Sequence, residues 1–508
     1  MFVKVQSAAV LGLDCIEVTA EVDIAGRWPG YQIVGLADAA IQEAKERIRT
    51  AWKNSGLEFP SNARVVINLA PADVRKIGSA YDLPMAMGMY LATEGATIDI
   101  HDALFAGELA LDGALRPISG VLPLAIFAKE RGYTRLFIPT ANAKEASIIA
   151  GICIYPVQSL RQLIFHLQGT ESIQPITPLD LSSLLALNES ALDMADIKGQ
   201  QFAKRALEIA ASGAHNVLLS GPPGSGKTLL SRTLPTILPQ MTVDEAIEVT
   251  KMYSVAGLLP PDNPIITQRP FRAPHHSAST AALVGGGTFP KPGEISLSHR
   301  GILFLDEFPE FPRPVLEALR QPLEDGVVTI SRAQGSIMFP AKFTLIASQN
   351  PCPCGYATDA DKVCVCSPMH RARYQKKISG PLLDRIDLHV DVPRIDFEKL
   401  SDNSSAEPSA KIRARVEAAR QIQQNRFANS TRITNSEMTN RDIKTYCQLN
   451  DESLDLLRQA VATLHLSARS YNRILKIGRT IADLEASPHI LTKHVAEAIQ
   501  YRPSSRQG

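Results

Sequence analysis

Along the first third of the chain, short runs that alternate apolar and polar residues give way to longer stretches with a helical repeat. Alternation over Val3–Val10, Cys15–Val22 and Arg64–Leu69 predicts strands, while Asp38–Ser55 and Asp82–Glu94 carry the spacing of amphipathic or buried helices. Gly107–Pro117 holds two short strands around the Asp112-Gly113 turn, followed by a helix at Leu122–Arg131 and a strand at Arg135–Ile138. Residues 1–168 therefore read as an α+β domain. The next stretch, 169–190, bears Pro, Ser and Thr with weak periodicity and is expected to be a linker.

The pattern then changes. Gln200–Ser212 is an amphipathic helix, and Asn216–Ser220 and Gly301–Leu305 are continuous apolar runs of the kind buried in a parallel sheet. Between them, Glu248–Ser298 is punctuated by Gly and Pro and shows little helical period, so it reads as an insert. Arg313–Asp325 predicts a helix, Val327–Phe339 a projecting hairpin and Phe343–Ser348 a further strand. Past a Ser-, Asn- and Pro-rich linker at 401–409, every periodic segment is helical: Ala410–Phe427, Asn440–Cys447, Asp451–Leu464, Ala468–Glu485 and Thr492–Gln500. The expected order is an α+β domain (1–168), a linker (169–190), an α/β core with inserts (191–395) and a helical lid (396–508). At roughly 150 residues per domain, 508 residues accommodate about three such units.

Composition narrows the picture only a little. Lys and Arg number 53 against 52 Asp and Glu, so a basic surface for nucleic acid must be local. No run of about 18 apolar residues occurs, and Met1-Phe2-Val3-Lys4 enters strand-like sequence directly. A soluble, cytoplasmic chain without a membrane partner is expected. Seven cysteines, four of them clustered, suit reduced thiols or a metal better than a disulfide framework.

The chemistry concentrates in the central third. Gly221-Pro222-Pro223-Gly224-Ser225-Gly226-Lys227-Thr228 fits the phosphate-binding loop at every fixed position and directly follows the Asn216–Ser220 strand. Its glycines allow the backbone N–H groups to surround a phosphate. Lys227 is placed to reach the β/γ-phosphates, and Thr228 to put its hydroxyl on Mg²⁺. Gly301–Leu305 delivers Asp306 and Glu307 at a strand's C-terminal end, where open α/β sheets bind ligands. Asp306 is the candidate Mg²⁺ ligand and Glu307 the group that polarises the attacking water. Asn350, at the end of another strand, either senses the γ-phosphate or begins the turn before Pro351. Arg385, ahead of the last strand, is either a surface ion-pair partner or an arginine that enters a neighbouring subunit's site. Arg469 and Arg473 share a helix face, and either touches a γ-phosphate or is ordinary solvated charge. Cys352-Pro353-Cys354 and Cys364-Val365-Cys366 bring four thiols into two close pairs that suit Zn²⁺, with free or redox-active cysteines as the alternative.

The N-terminal order of turn, helix, strand and Pro resembles the proteolytic domain of Lon. A Lon-type Ser–Lys dyad would fall on Ala80 within Lys76-Ile77-Gly78-Ser79-Ala80-Tyr81-Asp82 and on Leu122 after Pro117-Ile118-Ser119-Gly120-Val121. A methyl group offers no nucleophile and leucine accepts no proton. A protease-like domain without peptidase activity is expected, since Ser79 lies one position off and finds no matching lysine.

The phosphate loop, acidic strand end, sensor asparagine and helical lid together resemble an AAA+ ATPase. The insert and the hairpin point to the branch that holds magnesium-chelatase ATPase subunits and MCM helicases. Arg272-Ala273-Pro274-His275-His276-Ser277, Pro292-Gly293-Glu294-Ile295-Ser296-Leu297 and Ser467-Ala468-Arg469-Ser470-Tyr471-Asn472-Arg473 are similar to the YifB/ComM family of Mg-chelatase-like proteins, and the similarity covers essentially the whole chain. That resemblance implies a homohexameric, ATP-hydrolysing DNA translocase or helicase that works on branched recombination DNA in natural transformation, with recombination proteins as further partners. Arg269, Arg272, Lys291 and Arg332 are the loop cations available for DNA phosphates. The competing reading is a chelatase-like motor that remodels a protein partner.

Overall fold

The computed structural model describes residues 1–502 apart from 27–28, 36–37, 96–97, 182–190, 261–262, 288–289, 333–334, 360, 396–405, 431 and 465. Parts of both expected linkers, at 182–190 and 401–405, thus lie outside the described residues. Two compact units result: Met1–Ala186 with Val243–Thr267, and Leu187–Thr242 with Gln268–Gly508.

In the first unit, Phe2–Leu11 pairs antiparallel with Asp14–Ala25, which pairs antiparallel with Arg64–Ala70. On the other flank, Ala103–Phe105, Arg135–Pro139 and Cys153–Val157 add parallel strands to complete a seven-stranded sheet with Gly30–Val34. Helix Asp82–Glu94 runs where the apolar pattern placed it and is buried from Asp82 to Ala92, so its face against the sheet needs no amphipathic stripe. Its buried Asp82 carboxylate is held by the Arg47 guanidinium, Nε to Oδ2 at 2.9 Å.

The unit also recruits a segment distant in sequence. Helix Val243–Ala256, whose second half falls in the 248–298 stretch expected to show little helical period, packs on helix Val121–Glu130. Gly120 N–H donates to the Ser254 carbonyl at 3.1 Å, and the Ser254 hydroxyl to Glu145 Oε1 at 2.5 Å. Glu145 also accepts from Leu122 N–H at 2.9 Å. Burial pushes this carboxyl's pKa upward against the help of those two donors and of Asn142 Nδ2, which donates to Glu145 Oε2 at 3.3 Å.

The second unit is built on five parallel strands in the order Phe271–Arg272, Ile302–Leu305, Thr344–Gln349, Val217–Ser220, Leu388–Asp391. The mixed α/β class with a parallel sheet is thus the one expected. Both faces of the central strands are buried, which is why they read as unbroken apolar runs. Helices Ser409–Arg426, Asp451–Leu464, Ala468–Leu484 and Thr492–Gln500 share one core with the sheet, with Ile412, Val416, Leu457, Ile474, Ile481 and Val495 clustered with Val217, Phe304 and Leu388. The segment expected as one helix at 313–325 is two short ones, Arg313–Ala318 and Arg320–Asp325. The hairpin is present as Val327–Arg332 paired with Gly335–Pro340.

A buried charge network ties the lid together. Asp483, fully buried, accepts from Arg426 Nη1 at 2.8 Å, Arg479 Nε at 3.1 Å and Asn435 Nδ2 at 2.8 Å. Removing one partner of such a network leaves the others charged and unpaired, at a cost of about 3–5 kcal/mol. Asp483→Ala is therefore expected to lower the thermal midpoint markedly while Asp483→Asn, which keeps acceptor capacity, lowers it less. Equal midpoints for wild type and Asp483→Ala in a thermal-shift scan would contradict this role.

Candidate active site

The phosphate loop lies between the strand Val217–Ser220 and the helix Lys227–Thr233, in the context its motif requires. Gly221 is pinned where no side chain fits: a Cβ there would come within 2.1 Å of the Val392 carbonyl oxygen. Gly224 and Gly226 take φ of 77° and 90°, and no atom stands within 4 Å of where their Cβ atoms would be. The loop therefore curls tightly while leaving open space above its backbone, as a phosphate cradle requires.

Lys227 is buried. Its Nζ donates to the Gly221 carbonyl at 2.7 Å and the Pro222 carbonyl at 2.9 Å, with Asn350 Oδ1 at 3.3 Å. Burial lowers the pKa of this ammonium, and the Asp306 carboxylate pulls it back. Thr228 Oγ1 donates to Asp306 Oδ2 at 2.9 Å, while the Ser348 hydroxyl bonds the other oxygen of the same carboxylate. Five residues from two strand ends and the start of the helix after the loop thus meet: Lys227, Thr228, Asp306, Ser348 and Asn350. Glu307 N–H also donates to Asp306 Oδ1, at 3.0 Å.

Glu307 occupies left-handed backbone at φ 52°, an uncommon conformation for a residue with a side chain. Its carboxylate lies 3.4 Å from His276 Nδ1, and the two imidazoles of His275 and His276 are 4.1 Å apart between centroids. Next to the loop is a cavity of about 450 Å³ with Ile197, Gln200, Pro223, Leu230, Arg394 and Ile395 on its walls. Its size and mixed lining suit a purine ring beside the phosphate cradle. Gln200, itself at φ 53°, donates to the Pro393 carbonyl at 2.6 Å and so closes one side.

The candidate arginines stand elsewhere. Arg385 donates to the Pro381 carbonyl at 2.6 Å and pairs with Glu324, whose other oxygen is 3.6 Å from Arg469. The two guanidinium groups together hold the Glu324 carboxyl below its usual range. The Arg385 carbonyl accepts from Asn216 Nδ2 at 3.0 Å, which fixes it at the start of the phosphate-loop strand rather than its end. Arg473 is buried, with Nη2 donating to the Asp384 carbonyl at 2.5 Å and Nε 3.7 Å from Asp387. Sharing a helix face with Arg469 does not give it the same surroundings.

Cys352, Cys354, Cys364 and Cys366 converge so that all four sulfurs lie within 4.8 Å of one another. Cys352 Sγ is 3.4 Å from Cys354 Sγ and 3.6 Å from Cys364 Sγ. Four thiolates at Zn–S bonds of about 2.3 Å stand roughly 3.8 Å apart at the corners of a tetrahedron, so the sulfurs fit a thiophilic divalent ion. The Tyr356 backbone N–H brings the Cys354 thiol down to about 6, whereas burial raises Cys352 to about 12.

Of the loop cations, Arg269 donates to the carbonyls of Pro239, Gln240 and Arg300, and Arg272 forks onto Glu294 with both bonds at 2.6 Å. Those two hold the insert together. Lys291 is exposed, and the Arg332 side chain lies outside the described residues. At the protease-like positions, the Ala80 carbonyl accepts from Gly107 N–H at 2.8 Å, and the Ser79 hydroxyl bonds Glu108. Leu122 is wholly buried.

Sequence reasoning did not single out Ser348, Gln200 or Arg394. Ser348 carried a signal, two residues before Asn350 at the end of the strand Thr344–Gln349, where alternate residues face the same way. Gln200 and Arg394 reach the cavity through tertiary approach alone. His276 stood in a quoted motif with no role attached.

Comparison with known proteins agrees with this architecture. The family models described as "Magnesium chelatase, subunit ChlI", "Subunit ChlI of Mg-chelatase" and "Magnesium chelatase, subunit ChlI C-terminal" match residues 193–400, 20–142 and 406–502. The chain is 44% identical over 506 residues to competence protein ComM of Haemophilus influenzae, covering 99% of this chain and 97% of that one. It is 41% identical over 505 residues to YifB of Salmonella typhimurium, with the same coverage of 99% and 97%. A shorter match, 29% over 120 residues, links 23% of the chain to 21% of Lon protease 2 of Bacillus subtilis. A near full-length identity of this size, with a parallel-sheet core that carries the phosphate loop, places the chain in the YifB/ComM family of Mg-chelatase-like AAA+ ATPases.

Proposed function

We propose that the chain forms a cytoplasmic homohexamer that hydrolyses ATP between subunits and uses the energy to move branched recombination DNA, as in branch migration during natural transformation. The observation that carries the ring is the position of Arg385 and Arg469. Both meet at Glu324 near the start of the phosphate-loop strand. The Arg385 backbone is bonded to Asn216, ahead of the strand Val217–Ser220 that runs about 13 Å to the phosphate loop, and its guanidinium and that of Arg469 are engaged at Glu324, which supports their acting in a neighbour's site.

Within that site Lys227 exchanges the Gly221 and Pro222 carbonyls for β/γ-phosphate oxygens. Thr228 and Asp306 hold Mg²⁺, which when bound neutralises charge on those oxygens. Glu307 orients water in line with the γ-phosphorus and accepts its proton, with His276 positioning the carboxylate. Asn350 orients its amide toward the γ-phosphate. Cys352, Cys354, Cys364 and Cys366 hold a structural Zn²⁺. The protease-like unit cleaves no peptide, because neither Ala80 nor Leu122 offers the needed group.

The hairpin of Val327–Arg332 and Gly335–Pro340, with Met338 exposed on it, and the name competence protein borne by the Haemophilus relative favour DNA as the polymer. A labelled four-way junction should be converted to forked duplexes by wild type and ATP, and left intact by Lys227→Ala. A junction untouched by a protein that turns ATP over would favour the chelatase-like reading, in which the motor remodels a protein partner.

A further inference from the structure

The four-cysteine loop leans on the nucleotide pocket at two points. Gly355, one residue past Cys354 at φ 86°, lies so close to the phosphate loop that a Cβ there would stand 2.5 Å from Pro223 Cδ. Further round, the fully buried Asp359 carboxylate is 3.5 Å from Arg394 Nη2. Pro223 and Arg394 are both walls of the cavity beside the cradle. Asp359 is itself fixed, accepting from Asp361 N–H at 2.9 Å and Lys362 N–H at 3.0 Å.

Apolar burial does little to hold this loop in shape. Val363 and Val365 are 87% and 86% exposed, and only Cys352 of the four cysteines is buried. A short loop without a core of its own is commonly ordered by its metal. The one strong convergence in it is the sulfur cluster.

We propose that the loop is a metal-dependent brace for the nucleotide pocket. A thiophilic divalent ion, zinc by ligand set, draws Cys352, Cys354, Cys364 and Cys366 together and thereby seats Gly355 on Pro223 and Asp359 beside Arg394. The phosphate loop and the cavity wall are held in their binding geometry only while the ion is present. This deepens the zinc and ATP assignments above and rests on both. Metal loss then acts on nucleotide affinity through Pro223 and Arg394 rather than through any cysteine.

The test uses the full chain and two readouts, zinc content by elemental analysis and affinity for a fluorescent ATP analogue with Mg²⁺. Wild type should hold one zinc per chain. Cys364→Ser with Cys366→Ser should lose the zinc and weaken nucleotide binding about tenfold. Gly355→Ala, which leaves every cysteine in place, should keep the zinc and still weaken binding several-fold, because the new methyl pushes Pro223 away. Asp359→Asn should behave alike more mildly. Wild type that neither contains nor takes up zinc would overturn the metal assignment. Zinc lost with affinity unchanged, or Gly355→Ala binding as wild type does, would overturn the brace and leave the metal standing. Should the double cysteine variant not fold, Gly355→Ala with a wild-type circular-dichroism spectrum decides the matter alone.

Discussion

Lys227→Ala is expected to reduce ATP affinity by about a hundredfold and to leave no measurable turnover. Hydrogen bonds between an ammonium and phosphate oxygens contribute roughly 1.5–3 kcal/mol each to binding, and Nζ stands where it can reach two. In the protein as described, that ammonium is already satisfied by the Gly221 and Pro222 carbonyls, with Asn350 close by. The exchange of two loop carbonyls for phosphate oxygens is therefore an isodesmic one, and the charge decides its direction. The alanine variant loses the charge and leaves both carbonyls without their donor. Equilibrium titration with a fluorescent ATP analogue checks this. Unaltered affinity would mean that the cradle binds something else.

Glu307→Gln should separate binding from chemistry. The amide keeps the size of the carboxylate and tolerates the same left-handed backbone, so ATP should bind as in wild type. What disappears is the proton acceptor. General-base catalysis contributes about 10²–10⁴-fold, so turnover should fall by at least a hundredfold while bound ATP accumulates. His276, 3.4 Å from that carboxylate, would be left facing a neutral partner. A filter-binding assay that recovers ATP rather than ADP from the variant checks this outcome. Wild-type turnover would remove Glu307 from the mechanism.

Which features could be read in advance follows from how local they are. The phosphate loop was legible because its motif places every participant within eight consecutive residues, and Asp306 because a buried strand ending in an acid is itself a short pattern. The cysteine pairs were legible through spacing alone. The helix Val243–Ala256 was not, because Glu245, Thr250 and Ser254 are buried polar positions that erase its apolar stripe. Ser254 faces Glu145 and Thr250 accepts from Ile266 N–H at 3.0 Å, contacts that only tertiary packing creates. The same holds for the meeting of Arg385, Glu324 and Arg469, three residues from separate helices or their flanks. Helix Arg313–Ala318 stops early for a local reason: Pro322 has no N–H to donate to the Ala318 carbonyl, so the ladder breaks at Leu319 and a second short helix follows, which Gly326 ends in left-handed backbone.

The central claim, an ATP-hydrolysing site built from Lys227, Asp306 and Glu307, is tested most directly by steady-state phosphate release. The purified chain is assayed with Mg²⁺, with and without a four-way DNA junction, beside Glu307→Gln. Turnover that rises with the junction and vanishes in the variant is the predicted result. Phosphate release that persists undiminished in Glu307→Gln would contradict it, whatever the DNA.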